Sequence, residues 1–268
     1  MMSHITKGSR SGMGKIPESL PQAFSPGRSG GLDMLTKRCR EAEPRWHSRA
    51  NWRMPIVWLG PSISTPSSMQ GLAFWLPLGT FDQGWALVGQ GQHAEGISRM
   101  RQGITGLRAT GSQLGQSGLL RALAEAVARR REIEEGLRIL DEAFTVARHN
   151  GEEYDEVELW RAKGELTLAQ VSVQSLASQA ASGAVQEAEG CFLHAIEIAR
   201  HQSAKSLELR AVMNLSRLWP SQGRREEARQ ILAEMYGWFA EGFNTEDLQE
   251  AKALLEELGR SIRPSDVS

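Results

Sequence analysis

Glu135-Gly136-Leu137, followed at helical spacing by Leu140 and Ala143, occurs in four versions along this chain. The first is Glu95-Gly96-Ile97 with Met100 and Gly103. The third is Glu187-Ala188-Glu189 with Phe192 and Ala195, and the fourth is Glu227-Ala228-Arg229 with Leu232 and Met235. The small residues stand at 96, 136, 188 and 228, so their spacings are 40, 52 and 40 residues. The middle spacing is one period plus a 12-residue insertion. Self-similarity at such a period marks a solenoid, in which no unit buries its apolar face alone and stacking builds the core.

Working outward from these positions, the apolar period is helical from Leu72 onward. The spacing predicts paired helices A and B at 72–90 and 93–109, 113–130 and 133–149, 153–170 and 184–201, then 204–219 and 224–240. A last helix is expected at about 245–258. Asn244 and Thr245 are its N-cap candidates, Glu246 and Asp247 lie in its first turn, and Gly259 follows it. Its stripe Leu248, Ala251, Leu255 and Leu258 would cap the stack, with Glu246, Glu250, Lys252, Glu256 and Glu257 outside. Five residues before each small residue stand Gly91, Arg131, Gly183 and Gly223, where the A–B turn calls for positive φ. Gly111 and Gly151 close successive B helices. The small residues are expected where A and B cross closely, with Leu140, Phe192 and Leu232 filling the space one turn on. The Ser/Ala/Gln-rich insertion at 172–183 reads as a flexible loop.

Residues 1–71 differ from the rest. Gly, Ser and Pro are scattered without period, and the segment carries 10 Lys/Arg against 4 Asp/Glu. Such a stretch buries too little apolar surface to offset chain entropy. It reads as mostly disordered, with one short helix near Leu35–Glu43 and an apolar run Met54–Leu59. The break in composition suggests a misplaced start or a frame-shifted remnant. Residues 260–268 read as a flexible tail. The remainder carries 21 Lys/Arg against 28 Asp/Glu, a balance that argues against a general nucleic-acid binder; a helical-repeat nucleic-acid adaptor is the alternative reading. Cys39 and Cys191 form no disulfide framework or zinc pattern. No apolar run of transmembrane length and no signal peptide is evident, so a cytoplasmic location without membrane contact is expected.

The four units in register resemble a tetratricopeptide-like repeat, with a unit of 40 residues. Trp160 and Gly164 match that family's helix A, and Trp219 supplies a bulky residue in the fourth unit. A closer resemblance is to the C-terminal repeat region of large bacterial multidomain ATPases, many of which carry a cyclase-like or transcription-factor domain. Gly84-Trp85-Ala86-Leu87, Lys163-Gly164-Glu165-Leu166, Ala188-Glu189-Gly190-Cys191-Phe192 and the stretch from Glu241 to Lys252 carry it, and it covers about 75–258. The resemblance implies an all-α, right-handed αα-hairpin solenoid of about four units with a C-terminal capping helix. It also implies a sensor or docking arm with a protein or peptide partner, which could be an upstream ATPase or cyclase domain. Helix A lines the concave groove in such arrays. The register then aims Arg121, Glu125, Arg129, Arg161, Glu165, Arg210 and Arg217 inward, where arginines could clamp a partner's carboxylates. In the first unit Leu78, Phe81 and Trp85 replace these charges and are expected to be exposed.

Catalytic chemistry finds little footing. Ser9 to Ile16 faintly resembles a phosphate-binding loop, but Ser9 and Ile16 stand where Gly and Ser/Thr belong, and Pro17 interrupts a helix start. Cys191, His194, Glu197 and His201 share helical spacing; a solvated face beside the core explains them as well as a metal site does. No acid–base pair or nucleophilic triad is recognisable. The expectation is a non-enzyme without metal or cofactor.

Overall fold

In the computed structural model the described residues are 68–173 and 179–260. They form nine α-helices and no strand: α1 (Ser68–Gly89), α2 (His93–Ala109), α3 (Gln116–Ala128), α4 (Ile133–Asn150), α5 (Glu156–Val173), α6 (Gln179–His201), α7 (Lys205–Leu218), α8 (Arg225–Gly237) and α9 (Glu246–Gly259). Single 3-10 turns precede α5 and follow α7. The expectations for residues 1–67 and 261–268 lie outside the described residues.

Consecutive helices pack as antiparallel hairpins, α1 on α2, α3 on α4, α5 on α6 and α7 on α8, and α9 closes the stack on α7 and α8. Each A helix also touches the next, α1 with α3, α3 with α5 and α5 with α7, whereas among the described residues successive B helices make no comparable backbone approach, and α2 and α4 meet through the long side-chain pairs Arg101–Glu135 and Arg108–Glu142. The stack therefore curves with its A helices on the inner side. Two apolar clusters fill it. One spans the first two hairpins and reaches Leu159, Ala162 and Leu166 of α5. The other joins α5 and α6 to the fourth hairpin and α9.

Glycine sets how closely the first helices approach. A Cβ on Gly96 would stand 2.6 Å from the Gly84 carbonyl oxygen, and one on Gly84 2.5 Å from that of Gly96. Gly136 lies against Leu166 and the Ala124 carbonyl, and Gly164 against the Phe192 ring. Ala188 and Ala228, at the corresponding crossings, are fully buried. This close approach explains why Phe81 is buried rather than exposed: its Cβ sits over Gly103, which has no side chain to displace it. The exposed apolar residues of α1 lie further upstream, with Trp75 at 47% and Leu76 at 72%.

The turn positions Gly91 (φ 83°), Arg131 (66°) and Gly223 (80°) are left-handed, but Gly183 lies inside α6. The insertion has gone largely into helix. α5 runs to Val173 and α6 starts at Gln179, so Gly183 is helical, and residues 174–178 of the expected loop lie outside the described residues. Ala and Gln are adequate helix formers. Gly111 and Gly151 end α2 and α4 with positive φ, and Ser203 does so after α6. At α9, Thr245 takes the N-cap position with extended backbone but makes no side-chain cap bond, and Gly259 is the last helical residue. Leu254, rather than Leu255, joins Leu248, Ala251 and Leu258 in the buried stripe.

Candidate functional site: the inner face of the A helices

All seven groove residues read from the sequence stand on A helices or at their ends, and charged pairs run between them from α3 to α9. On α3, Arg121 donates to Glu125 at 2.7 Å. On α5, Arg161 donates to Glu158 at 2.8 Å through one terminal nitrogen and to Glu165 through the other. Asn214 of α7 also donates to Glu165, at 2.6 Å. Arg210 reaches Glu158 at 3.6 Å and Asp247 of α9 at 2.9 Å. Arg217 pairs with Glu250 of α9 at 2.8 Å. The third and fourth hairpins and the final helix are thus joined by carboxylate–guanidinium contacts, and the second hairpin carries its own pair. In place of the free arginine clamps expected, most of these guanidiniums already hold a carboxylate of the same chain.

The middle of this ladder is buried. Glu125, Glu158 and Arg161 are 3%, 6% and 7% exposed. Charge at such depth persists only when paired. Burial pushes the Glu158 carboxyl up, but Arg161 and Arg121, with the Arg161 hydrogen bond, outweigh it and hold the group at about 2. Burial lowers the Arg161 guanidinium less than Glu158 and Glu165 raise it. At Glu165 burial wins, and its carboxyl is raised despite Arg161. Towards the N-terminal end the pattern changes. Arg129 lies over the Trp85 ring, 5.1 Å from its centroid. Burial lowers its pKa, only partly offset by Glu125.

Sequence reasoning missed Glu158, Asn214, Asp247 and the pairing role of Glu250. Glu158 was legible as an acid three residues before Arg161. Asp247 and Glu250 were visible only as acids of the final helix, because their partners lie more than thirty residues away in the chain.

A second polar cluster sits at the start of α3. Glu152 accepts from the backbone N–H groups of Gln116 (3.3 Å) and Ser117 (2.9 Å) and from the Ser117 hydroxyl. It caps a helix begun 36 residues earlier in the chain. Ser117 Oγ is also 2.6 Å from Asp155. One hydroxyl hydrogen serves only one carboxylate at a time; burial raises the Asp155 pKa, with the Ser117 hydrogen bond and Arg121 opposing it. Burial, with Asp155 and Glu152 nearby, pushes the Tyr154 phenol up to about 12.

The proposed metal-ligand set is dispersed. Cys191 is buried in the hairpin, His194 lies edge-on to Trp160 with ring centroids 4.7 Å apart, and His201 is exposed at the end of α6. Among the described residues no cluster of three or more His, Cys, Asp or Glu is placed to hold a metal ion.

The geometry defines a TPR-like αα-hairpin solenoid, and solved structures share it. A single-substitution variant of a kinesin-light-chain-type protein from Podosopora anserina, built of nearly identical TPR-like repeats, superposes with a TM-score of 0.50 at 16% identity. The match covers 70% of this chain and 94% of that one. A second structure of those repeats superposes with a TM-score of 0.50 at 15% identity, covering 69% and 86%. At this identity the likeness speaks for the fold alone. No protein-family model and no curated protein matches the sequence. Among the described residues no helix is long and apolar enough to cross a membrane.

Proposed function

We propose that this chain is a non-catalytic protein–protein interaction module whose inner A-helix face receives an extended peptide or a partner helix. The observation that carries the reading is the continuous ladder of polar side chains along that face. Buried pairs hold it rigid in the middle, and Arg210 and Arg217 keep partial exposure at one end. A prearranged polar face loses little freedom when a partner binds, and arginine suits planar carboxylate recognition.

The experiment is peptide display against the full chain and against the double variant Arg210→Glu, Arg217→Glu. The expected result is enrichment of acidic sequences that bind the parent and not the variant. Peptides that bind both equally, or an absence of enrichment, would overturn the reading.

The same proposal extends to context: the module is the C-terminal arm of a larger bacterial signalling ATPase and works in the cytoplasm. The resemblance over residues 75–258 supports this. So does the apolar exposure of Trp75 and Leu76, where a solenoid's terminal repeat is normally polar. Translating the DNA upstream of the Met1 codon in all frames tests it. A phosphate-binding loop followed by further 40-residue units is expected, and unrelated coding would remove this part of the proposal.

A further inference from the structure

We infer that residues 54–59 of this same chain cover the open end of the stack, packing on Trp75, Leu76 and Gly79 of α1 and setting Arg53 against Asp82. The surface concerned is the end face of the first hairpin, not the inner face of the A helices.

Helix α1 has almost no polar side. Asp82 is its single ionisable residue among 22. A helix of that kind is normally enclosed, yet Ala73, Trp75, Leu76, Gly79 and Ala86 are exposed. Repeat register identifies the exposed side. Gly79, Gln83 and Ala86 correspond to Leu119, Leu123 and Ala126 of α3. Those three are buried, and α3 has the first hairpin in front of it. The open side of α1 is therefore the side that a preceding element covers.

The α2 half of this end face is already polar. Arg99 stands where later B helices carry the buried Ile139 and Cys191, and it donates to Gln83 at 3.0 Å and to Glu95 at 2.9 Å. What stays open is a stripe along α1, narrow enough for one short segment of chain. Its one charge, Asp82, makes no side-chain hydrogen bond or ion pair among the described residues, and burial alone raises its carboxyl.

Met54-Pro55-Ile56-Val57-Trp58-Leu59 is apolar throughout and is directly preceded by Arg53. Only residues 60–67 separate it from the start of α1. Such a tether spans up to about 28 Å, whereas Trp75 and Leu76 lie about 10–12 Å along α1 from Ser68. The run reaches the stripe, and the short tether holds it there at an effective concentration of about millimolar, so a weak contact suffices. Residues 1–71 carry 10 Lys/Arg against 4 Asp/Glu, the sign that complements Asp82. A second copy seated across a two-fold axis would bring one Asp82 towards another and would lack the tether. Repeats encoded upstream of Met1 are separated from α1 by residues 1–67, so this inference and the proposed context stand or fall separately.

Disulfide trapping in the full chain is the test. With Cys39→Ser, the remaining native thiol is Cys191, buried in the third hairpin. One variant adds Val57→Cys and Gly79→Cys; the control adds Val57→Cys and Ser98→Cys, an exposed site on α2. An added Cβ at Gly79 meets nothing within 4 Å, so that substitution leaves the packing intact. Loop closure by itself favours the first pair only about threefold, and the expected result under mild oxidation is an intramolecular bond to position 79 formed at least about tenfold faster than the control. Rates within the loop-closure difference, or no intramolecular bond, overturn the inference. A bond between chains whose rate rises with protein concentration gives the face to a second copy and overturns it too. A second measurement needs no introduced thiol. In Ile56→Asp, Trp58→Asp, amide exchange of α1 should accelerate several-fold while α7, α8 and α9 keep their protection. Unchanged exchange in α1, or equal acceleration throughout the stack, overturns the inference.

Discussion

Glycine shows how one atom decides the packing of two helices. Alanine is about 1 kcal/mol better than glycine in a helix interior. At Gly190, where an added Cβ meets nothing within 4 Å, Gly190→Ala should therefore raise stability by roughly 0.5–1 kcal/mol. At Gly96 the added methyl strikes a backbone carbonyl at 2.6 Å, and backbone cannot swing aside as a side chain can. Gly96→Ala should lower stability by about 1–3 kcal/mol in spite of the propensity gain. Urea denaturation of the two variants checks both signs. Charge at residue scale makes a separate prediction. The Glu158 carboxyl is lowered to about 2 from 4.5, so it binds fewer protons folded than unfolded in that window. Its contribution is present above about pH 4.5 and lost as pH falls towards 2. Glu165 and Asp155, raised by burial, run the other way: their penalty eases as pH falls. Glu158→Gln should cost on the order of 3 kcal/mol at neutral pH by leaving Arg161 and Arg121 undercompensated. It should also flatten the acid limb between about pH 4.5 and 2 relative to the parent, as read from urea midpoints across that range.

At the scale of the element, the helices lean on their neighbours for termination. No side-chain cap bond from the N-cap residue itself is present at α2, α3, α4, α7, α8 or α9. For α3 the cap arrives from the turn after α4, through Glu152. A carboxylate on free N–H groups at a helix N-terminus gains from both hydrogen bonds and the helix dipole. Glu152→Ala should cost about 1–2 kcal/mol, and amide exchange of Gln116 and Ser117 should accelerate ahead of the rest of α3. Uniform acceleration through α3 would mean that Glu152 supports the stack as a whole rather than this terminus. The fourth hairpin has a similar dependence. Glu189 of α6 accepts from Trp219 (2.8 Å), Gln222 (3.0 Å) and Arg224 (2.6 Å), tying the turn before α8 to the preceding hairpin.

For the whole molecule, stacking makes stability a sum of hairpins and the interfaces between neighbours. The inner ladder adds an electrostatic layer across those interfaces, from α3 to α9. Its C-terminal end depends on α9, which both covers α7 and α8 and supplies Asp247 and Glu250. Leu254→Asp would place a charge in the α9 interface, where Leu254 is buried. Hydrogen exchange should then show the fourth hairpin losing protection while the first two retain theirs, a graded loss expected of nearest-neighbour coupling. A single cooperative loss over all four hairpins would show that the ladder couples them beyond nearest neighbours.

The amino-acid sequence by itself determined the repeat, the pairing of helices and most turn positions. These rest on local rules: apolar spacing at about 3.6 residues, small residues where helices cross, and glycine where φ is positive. It also placed the seven polar residues on A helices or at their ends, since helix register alone decides which element they occupy. The fate of those residues was decided by tertiary structure. Arg210 meets Glu158 and Asp247, Arg217 meets Glu250, and Arg129 meets Trp85 across separations of 33 to 52 residues. The helical ends of the insertion were likewise not legible, because a Ser/Ala/Gln stretch carries only a weak local preference. Periodicity reports the side of a helix a residue faces. What stands opposite it, and at what distance, depends on how neighbouring hairpins are set against one another.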